Sequence, residues 1–182
     1  MRIERPVYNA PILIIYEDED LLVVDKPPSM PVHPTGAYNR NTVKSILEQE
    51  EGYKDLKPVH RLDKVTSGIQ IFGKNVKMVT KAREAFNNKE YEKTYYARVG
   101  GKIDKDQFTV ERNIEVKERK NFVFDHCDDD KGKYCRTDFE VIYYDEESDS
   151  TLLKCKVIRL SKNRENTPDK DTPEVPGTSN TE

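Results

Sequence analysis

The stretch "KPVHRLDKVTSGIQIFGK", Lys57 to Lys74, decides how the whole chain is read. It sets His60, Arg61 and Asp63 within four residues, follows them with a Thr-Ser-Gly turn, and then enters the short apolar run Ile69 to Phe72. A buried core would be harmed by such a cluster, and an ordinary surface loop has no need of its order. Gly68 permits a tight turn from loop into strand, which would seat the loop on a rigid element. Asp63 stands between Arg61 and Lys64 with Thr66 and Ser67 close behind, and neighbouring cations and hydroxyl donors favour an ionised carboxylate. Such a group can act as a nucleophile at a sugar carbon or as a general base. An Asx or N-cap turn, in which Asp63 only ties down backbone amides, accounts equally for the spacing.

Working outward, Ile12–Tyr16 and Leu21–Asp25 are β-rich runs on either side of the acidic "EDED", and they read as a hairpin. The next segment, "KPPSMPVHPTG" (Lys26–Gly36), holds four prolines and reads as a rigid irregular loop. Asn41 and Thr42 look like a helix cap, with Val43, Ile46 and Leu47 spaced to bury one face. On the C-terminal side a longer helix is expected from Lys74, with Val76, Val79, Ala82 and Phe86 as its buried stripe. "KTYYARV" (Lys93–Val99) reads as a strand before a Gly-Gly turn, and "NFVFDH", "TDFEVIYY" and "TLLKCKV" read as further strands. Hairpins with interspersed helices argue for an α+β fold on a mixed, mostly antiparallel sheet.

The chain has 182 residues, of which 35% are hydrophobic and 36% charged. Its mean hydropathy of −0.89 is polar for a globular protein. The polar excess gathers at the C-terminus: from Ser161 to Glu182 there is no aromatic residue and one β-branched aliphatic, Val175, so that tail is expected to stay disordered. No run approaches the length needed to cross a bilayer, and the N-terminus lacks a signal pattern. The expectation is a soluble intracellular monomer, most simply cytoplasmic, with nucleus and mitochondrion left open.

The net charge of −3 does not advertise nucleic-acid binding, but the charges are unevenly placed. Acid collects in "YEDED", "HCDDD" and "YDEESD", while Lys57, Arg61, Lys64, Lys74, Lys77, Lys81, Arg83, Lys89 and Lys93 make the middle basic. For Lys77, Lys81 and Arg83 a plain solvated helix face explains the pattern as well as phosphate contacts do. Cys127, Cys135 and Cys155 form no CxxC pair and read as reduced thiols. His126 beside Cys127 and Cys135 is too lax a pattern for zinc, so no metal is assigned.

The motifs taken together resemble one family. "HRLDKVTSG" (His60–Gly68) is similar to the HRLDxxTSG signature of the RluA-like RNA pseudouridine synthases. "VVDKPPSMPVHPTGAYNRNTV" (Val23–Val43) resembles that family's upstream KPxxxxVHP segment in its eukaryotic form, and "KTYYARVGG" (Lys93–Gly101) its KxYxAxVxG motif. All three stand in the family's order, and the resemblance runs from Pro11 to Lys156. It implies the pseudouridine synthase fold and an organisation of N-terminal extension (1–10), partial catalytic domain (11–158) and polar tail (159–182).

The resemblance also implies roles. Asp63 matches the aspartate that attacks or deprotonates the nucleoside while the uridine N-glycosidic bond is cut; the uracil then turns in place and rejoins the ribose through carbon five. Tyr95 matches the tyrosine that stacks on the base and takes part in proton transfer, while Tyr96, on the other face of the strand, is read as packing. Arg61 matches the arginine that fills the gap left by an everted base, a task suited to a planar guanidinium. His60, Thr66 and Lys93 complete the expected substrate contacts, although His60 can equally be a satisfied structural histidine, as His33 is read to be. The implied partner is RNA, single-stranded or looped, and no cofactor is needed.

The sequence departs from the family at one place. Where members continue into PxTGRTHQIRxH, whose arginine pairs with the aspartate, this chain reads "CKVIRLSKNRENTPDKDT". Neither Arg159 nor Arg164 carries the surrounding pattern. The expectation is a domain lacking its C-terminal part, with weak activity by itself or only the RNA binding of a non-catalytic remnant.

Overall fold

The computed structural model describes residues 4–88, 91–118, 123–127 and 133–158. The chain divides into two compact units, residues 1–91 and 92–182.

In the first unit, strands β1 (Leu13–Glu17), β2 (Leu21–Lys26), β3 (Lys57–Pro58) and β4 (Gly68–Gly73) make a sheet in the order β1-β2-β4-β3. Every pairing in it is antiparallel. The side-chain period of two puts Leu22, Val24 and Lys26 of β2 on the same face as Phe72, Gln70 and Gly68 of β4, their register partners. That face is the core: Leu22, Val24, Lys26, Gln70 and Phe72 are all fully buried. Helix α1 (Val43–Glu50) covers it with Val43 and Leu47, and the proline-rich loop adds Met30 and Val32. Each buried apolar side chain of this size contributes about 1.5–3 kcal/mol.

The connections are tied down by caps. Thr42 Oγ1 accepts from the backbone N–H of Ser45 at 3.2 Å to start α1, and the N–H groups of Val43 and Lys44 reach back to the carbonyls of Pro31 and Val32, both at 3.0 Å. Asn75 Oδ1 accepts from the Met78 N–H at 2.9 Å to start α2 (Val76–Asn87). The N-terminal segment is clasped to the loop ahead of α1, where the Glu4 carboxylate accepts from the backbone N–H groups of Asn39, Arg40 (2.7 Å) and Asn41 (3.4 Å).

The second unit is one antiparallel sheet. Strands β5 (Lys93–Gly100), β6 (Gln107–Glu118), β7 (Val123–Cys127), β8 (Lys133–Asp145) and β9 (Ser150–Ile158) lie in the order β5-β9-β8-β6-β7. The register carries a row straight across it, Tyr95 to Cys155 to Phe139 to Phe108, with the two phenylalanine rings stacked at 4.9 Å. Thr151, Leu153 and Cys155 are its buried centre, and the opposite face carries the cross-strand ion pair Lys154–Glu140 at 3.0 Å.

The α+β class stands, with corrections. Among the described residues the sheet is neither single nor mixed: two sheets form, and every strand pairing is antiparallel. Helix α2 begins at Val76, after its cap, and not at Lys74; Val76 in its first turn is 63% exposed and no part of the buried stripe. Tyr96, read as packing, is 68% exposed, since the buried centre of its sheet lies on the face that Tyr95 shares with Cys155. Strands β3 and β6 were not anticipated. The expected polar tail, residues 159–182, lies outside the described residues, as do Asn121 and Phe122 of "NFVFDH".

Gly73 is the joint between β4 and α2. A Cβ there would collide with Val79 Cγ2 on the first turn of the helix. Gly73→Ala is expected to destabilise the chain by about 1–3 kcal/mol, read as a lowered midpoint in thermal or urea melts. An unchanged midpoint would mean that the helix is not seated this closely on the strand.

Candidate active site

The segment His60–Ser67 crosses from β3 to β4, and its backbone is pinned at almost every step. At the entrance, His60 Nε2 accepts from the Ile71 N–H at 3.3 Å and the ring lies 5.6 Å from that of Phe86. Gln70, fully buried on β4, donates Nε2 to the His60 carbonyl at 2.7 Å and accepts the Leu62 N–H on Oε1 at 3.3 Å. Leu62 packs against the apolar core. Past the aspartate, the Thr66 N–H closes a turn onto the Asp63 carbonyl at 3.2 Å, and Gly68, at φ +114°, lets the chain re-enter the sheet.

The floor of this loop is a lysine. Lys26 ends β2 on the inward face, and its Nζ donates to the carbonyls of Pro27 (2.9 Å), Met30 (2.7 Å) and Lys64 (3.2 Å). An ammonium has three protons, and here each has an acceptor. Burial pushes its pKa down from 10.5 to about 8, while the charge of Asp63 pulls the other way. The charge of Asp63 is therefore felt by a buried ammonium 37 positions earlier in the chain.

Asp63 itself is exposed, and among the described residues its carboxylate accepts no hydrogen bond. The capping role that spacing allowed is not what the structure shows: the aspartate's part in the turn is played by its main-chain carbonyl. Arg61 and Lys64 are exposed beside it, and neither belongs to an ion pair among the described residues. His33 lies where burial and the charges of Arg61 and Lys44 hold its pKa below the usual histidine value. Other cations of the basic middle segment are already spent, Lys57 on Asp55 and Lys74 on Glu17 at 2.6 Å.

His60, Arg61, Asp63 and Thr66 are thus gathered on one loop of the first unit. Lys93 and Tyr95 belong to the second, both half-buried on the inner face of β5 opposite Val157 and Cys155. No group of metal-ligating side chains exists among the described residues.

A family model described as RNA pseudouridylate synthase matches residues 20–163, a span that contains the Lys26 floor, the Asp63 loop and β5. The chain belongs to this family. Human pseudouridylate synthase RPUSD2 is 38% identical over 158 residues, 86% of this chain and 28% of that protein. The mitochondrial tRNA pseudouridine(32) synthase of Saccharomyces cerevisiae is 35% identical over 159 residues, 86% of this chain and 34% of that protein. Among solved structures, human RNA pseudouridylate synthase domain containing 1 superposes with a TM-score of 0.70 at 20% identity, covering 84% of this chain and 62% of that one. The chain spans 28% and 34% of the length of these two curated relatives.

Two residues of the site escaped the sequence reading, Lys26 and Gln70. Both left a signal: each is a polar residue on the inward phase of an alternating strand, Leu22-Val24-Lys26 and Gln70-Phe72. The lysine makes a testable mark on stability. Its folded pKa lies below its unfolded one, so between about 8 and 10.5 the unfolded chain binds more protons and this group's contribution to stability rises with pH. The stability of the wild-type chain relative to Lys26→Met, from urea melts at the two ends of that window, is expected to increase with pH. A difference that stays flat or falls would show that the ammonium is not desolvated.

Proposed function

We propose that the Asp63 loop is the reaction centre of an RNA pseudouridine synthase, with Asp63 as the acid that engages the nucleoside. The observation that carries this reading is an exposed carboxylate with no hydrogen bond among the described residues, on a loop fixed at His60, Leu62 and Lys64 from beneath. A reactive group needs both features: a fixed position, so that little order is lost on reaching the transition state, and lone pairs committed to nothing else. The family supports it, since relatives matched over 86% of this chain are named as pseudouridine synthases.

The chemistry is an isomerisation that balances without an oxidant or cofactor. The bond from C1′ to N1 of the uracil breaks, a bond from C1′ to C5 forms, N1 gains a proton and C5 gives one up. A base inside a duplex cannot present C1′ to a carboxylate, so the target uridine is everted, at a cost of about a few kcal/mol that is least in loops. Arg61, exposed two positions before Asp63, is suited to fill the vacated stack. His60, whose ring is held on β4, and Thr66, whose N–H closes the turn, act on the loop that carries the substrate contacts. The resemblance assigns the base-stacking ring to Tyr95 and a further substrate contact to Lys93.

A second reading is RNA binding without turnover, supported by exposed Arg61 and Lys64, neither of which belongs to an ion pair among the described residues.

Release of tritium from RNA labelled at uracil C5 separates the readings, because only carbon–carbon bond formation expels that atom. The enzyme reading expects release by the wild-type chain, its loss in Asp63→Ala by at least about 10³-fold, and retained RNA affinity in the variant. Affinity without any release by the wild-type chain would establish the second reading. Release that survives in Asp63→Ala would overturn the role of Asp63.

A further inference from the structure

Lys64 is the residue after Asp63, and its two ends are held separately. Its carbonyl rests on Lys26 Nζ at 3.2 Å. Its own ammonium sits 3.4 Å from the Tyr38 hydroxyl and 5.6 Å from the centre of that ring. Tyr38 is in turn fixed in a reciprocal backbone bridge with Thr35, N–H to O at 2.9 Å both ways, and the turn that follows it is clasped by the Glu4 carboxylate through the N–H groups of residues 39–41. The result is a cation held out on the surface by an uncharged partner. Among the described residues, Lys44, Lys57, Lys74, Lys154 and Lys156 all have carboxylate partners, and Lys64 has none.

We propose that Lys64 is a substrate contact for a backbone phosphate flanking the nucleotide engaged at Asp63, and that Tyr38 is the positioning residue that holds it there. This rests on the reading of the Asp63 loop as an RNA site. A phenol orients an ammonium without neutralising it, as a carboxylate would, so the full charge remains available to an anion. The neighbouring exposed Arg61 adds a second unneutralised cation on the same loop. Lys64 carries no information about base identity, because a flexible ammonium meets a phosphate as a point charge. Its effect is therefore on affinity for any single strand.

The test is the affinity of the full chain for short single-stranded oligouridylate and oligocytidylate, titrated over a range of potassium chloride concentrations. Removing one phosphate contact lowers the slope of log affinity against log salt by about 0.7 on a single strand. Lys64→Gln is expected to show that loss equally on both oligonucleotides, whereas Lys57→Gln, whose charge is already spent on Asp55, leaves the slope unchanged. Tyr38→Phe is expected to weaken binding in the wild-type background and to do nothing further in the Lys64→Gln background, because it acts through the lysine. Melts of these variants, which alter groups outside the core, should match the wild type. An unchanged slope in Lys64→Gln with the wild-type chain still binding overturns this proposal alone. Additive effects of the two substitutions overturn the positioning role and make Tyr38 an independent contact. A wild-type chain with no affinity for either oligonucleotide overturns the RNA reading and this inference together.

Discussion

A single ammonium ties two separate loops of the first unit to the end of β2. Lys26 Nζ gathers two carbonyls from the proline-rich loop, at Pro27 and Met30, and one from the Asp63 loop at Lys64, 38 residues away. Burying a charge is costly, and the fall of its pKa to about 8 is the signature of that cost. A well-packed apolar side chain in its place would leave the core no less stable by general experience. It would not, however, say where the Lys64 carbonyl must sit. The lysine is best understood as a device for position, with stability given up to obtain it.

Gln70 repeats the logic from the neighbouring strand. Its amide uses both ends, accepting from Leu62 and donating to the His60 carbonyl, so the entrance of the loop is fixed to β4 as the exit is fixed to β2. Between these anchors the side chains alternate: Leu62 goes down into the core while Arg61, Asp63 and Lys64 are exposed. The polar core residues are thus the hydrogen-bonding underside of a loop whose upper side carries an Asp63 carboxylate with no hydrogen bond among the described residues. No buried side-chain donor or acceptor is without a partner among the described residues, so the unpaired polar groups of this region are all on the side that faces solvent.

The sequence made the scaffold legible wherever one short pattern settled the matter. The β-rich run Leu21–Asp25, the apolar run Ile69–Phe72, the Thr42 cap and the acidic turn between β1 and β2 each specify their element locally. Strand β6 was hidden because "QFTVERNIEVKE" scatters charge through its alternation, and only pairing with β7 and β8 makes it a strand. Strand β3 is two residues long and exists because β4 offers it a partner. Tyr96 was misjudged because alternation tells that two neighbours differ in face without telling which face is covered. The same limit applies to the site. The phase of Lys26 and Gln70 could be read, but their partners are main-chain carbonyls and amides, which leave no mark in a sequence.

The surroundings of Asp63 separate two things that usually come together. Positive charge nearby favours an ionised carboxylate, yet an ordinary ion pair also occupies its oxygens with hydrogen bonds. Glu17 shows that alternative, with Lys74 Nζ at 2.6 Å on one oxygen and the Tyr53 hydroxyl at 2.8 Å on the other. Lys26 instead spends all of its protons on carbonyls, so its charge acts on Asp63 through space while none of its hydrogen bonds does. Because a buried charge is screened far less than one at the surface, an ammonium beneath the loop remains effective where an exposed one would be weakened by salt. Field and bond are thereby separated: the protein supplies the first to Asp63 and withholds the second, which leaves the carboxylate oxygens exposed.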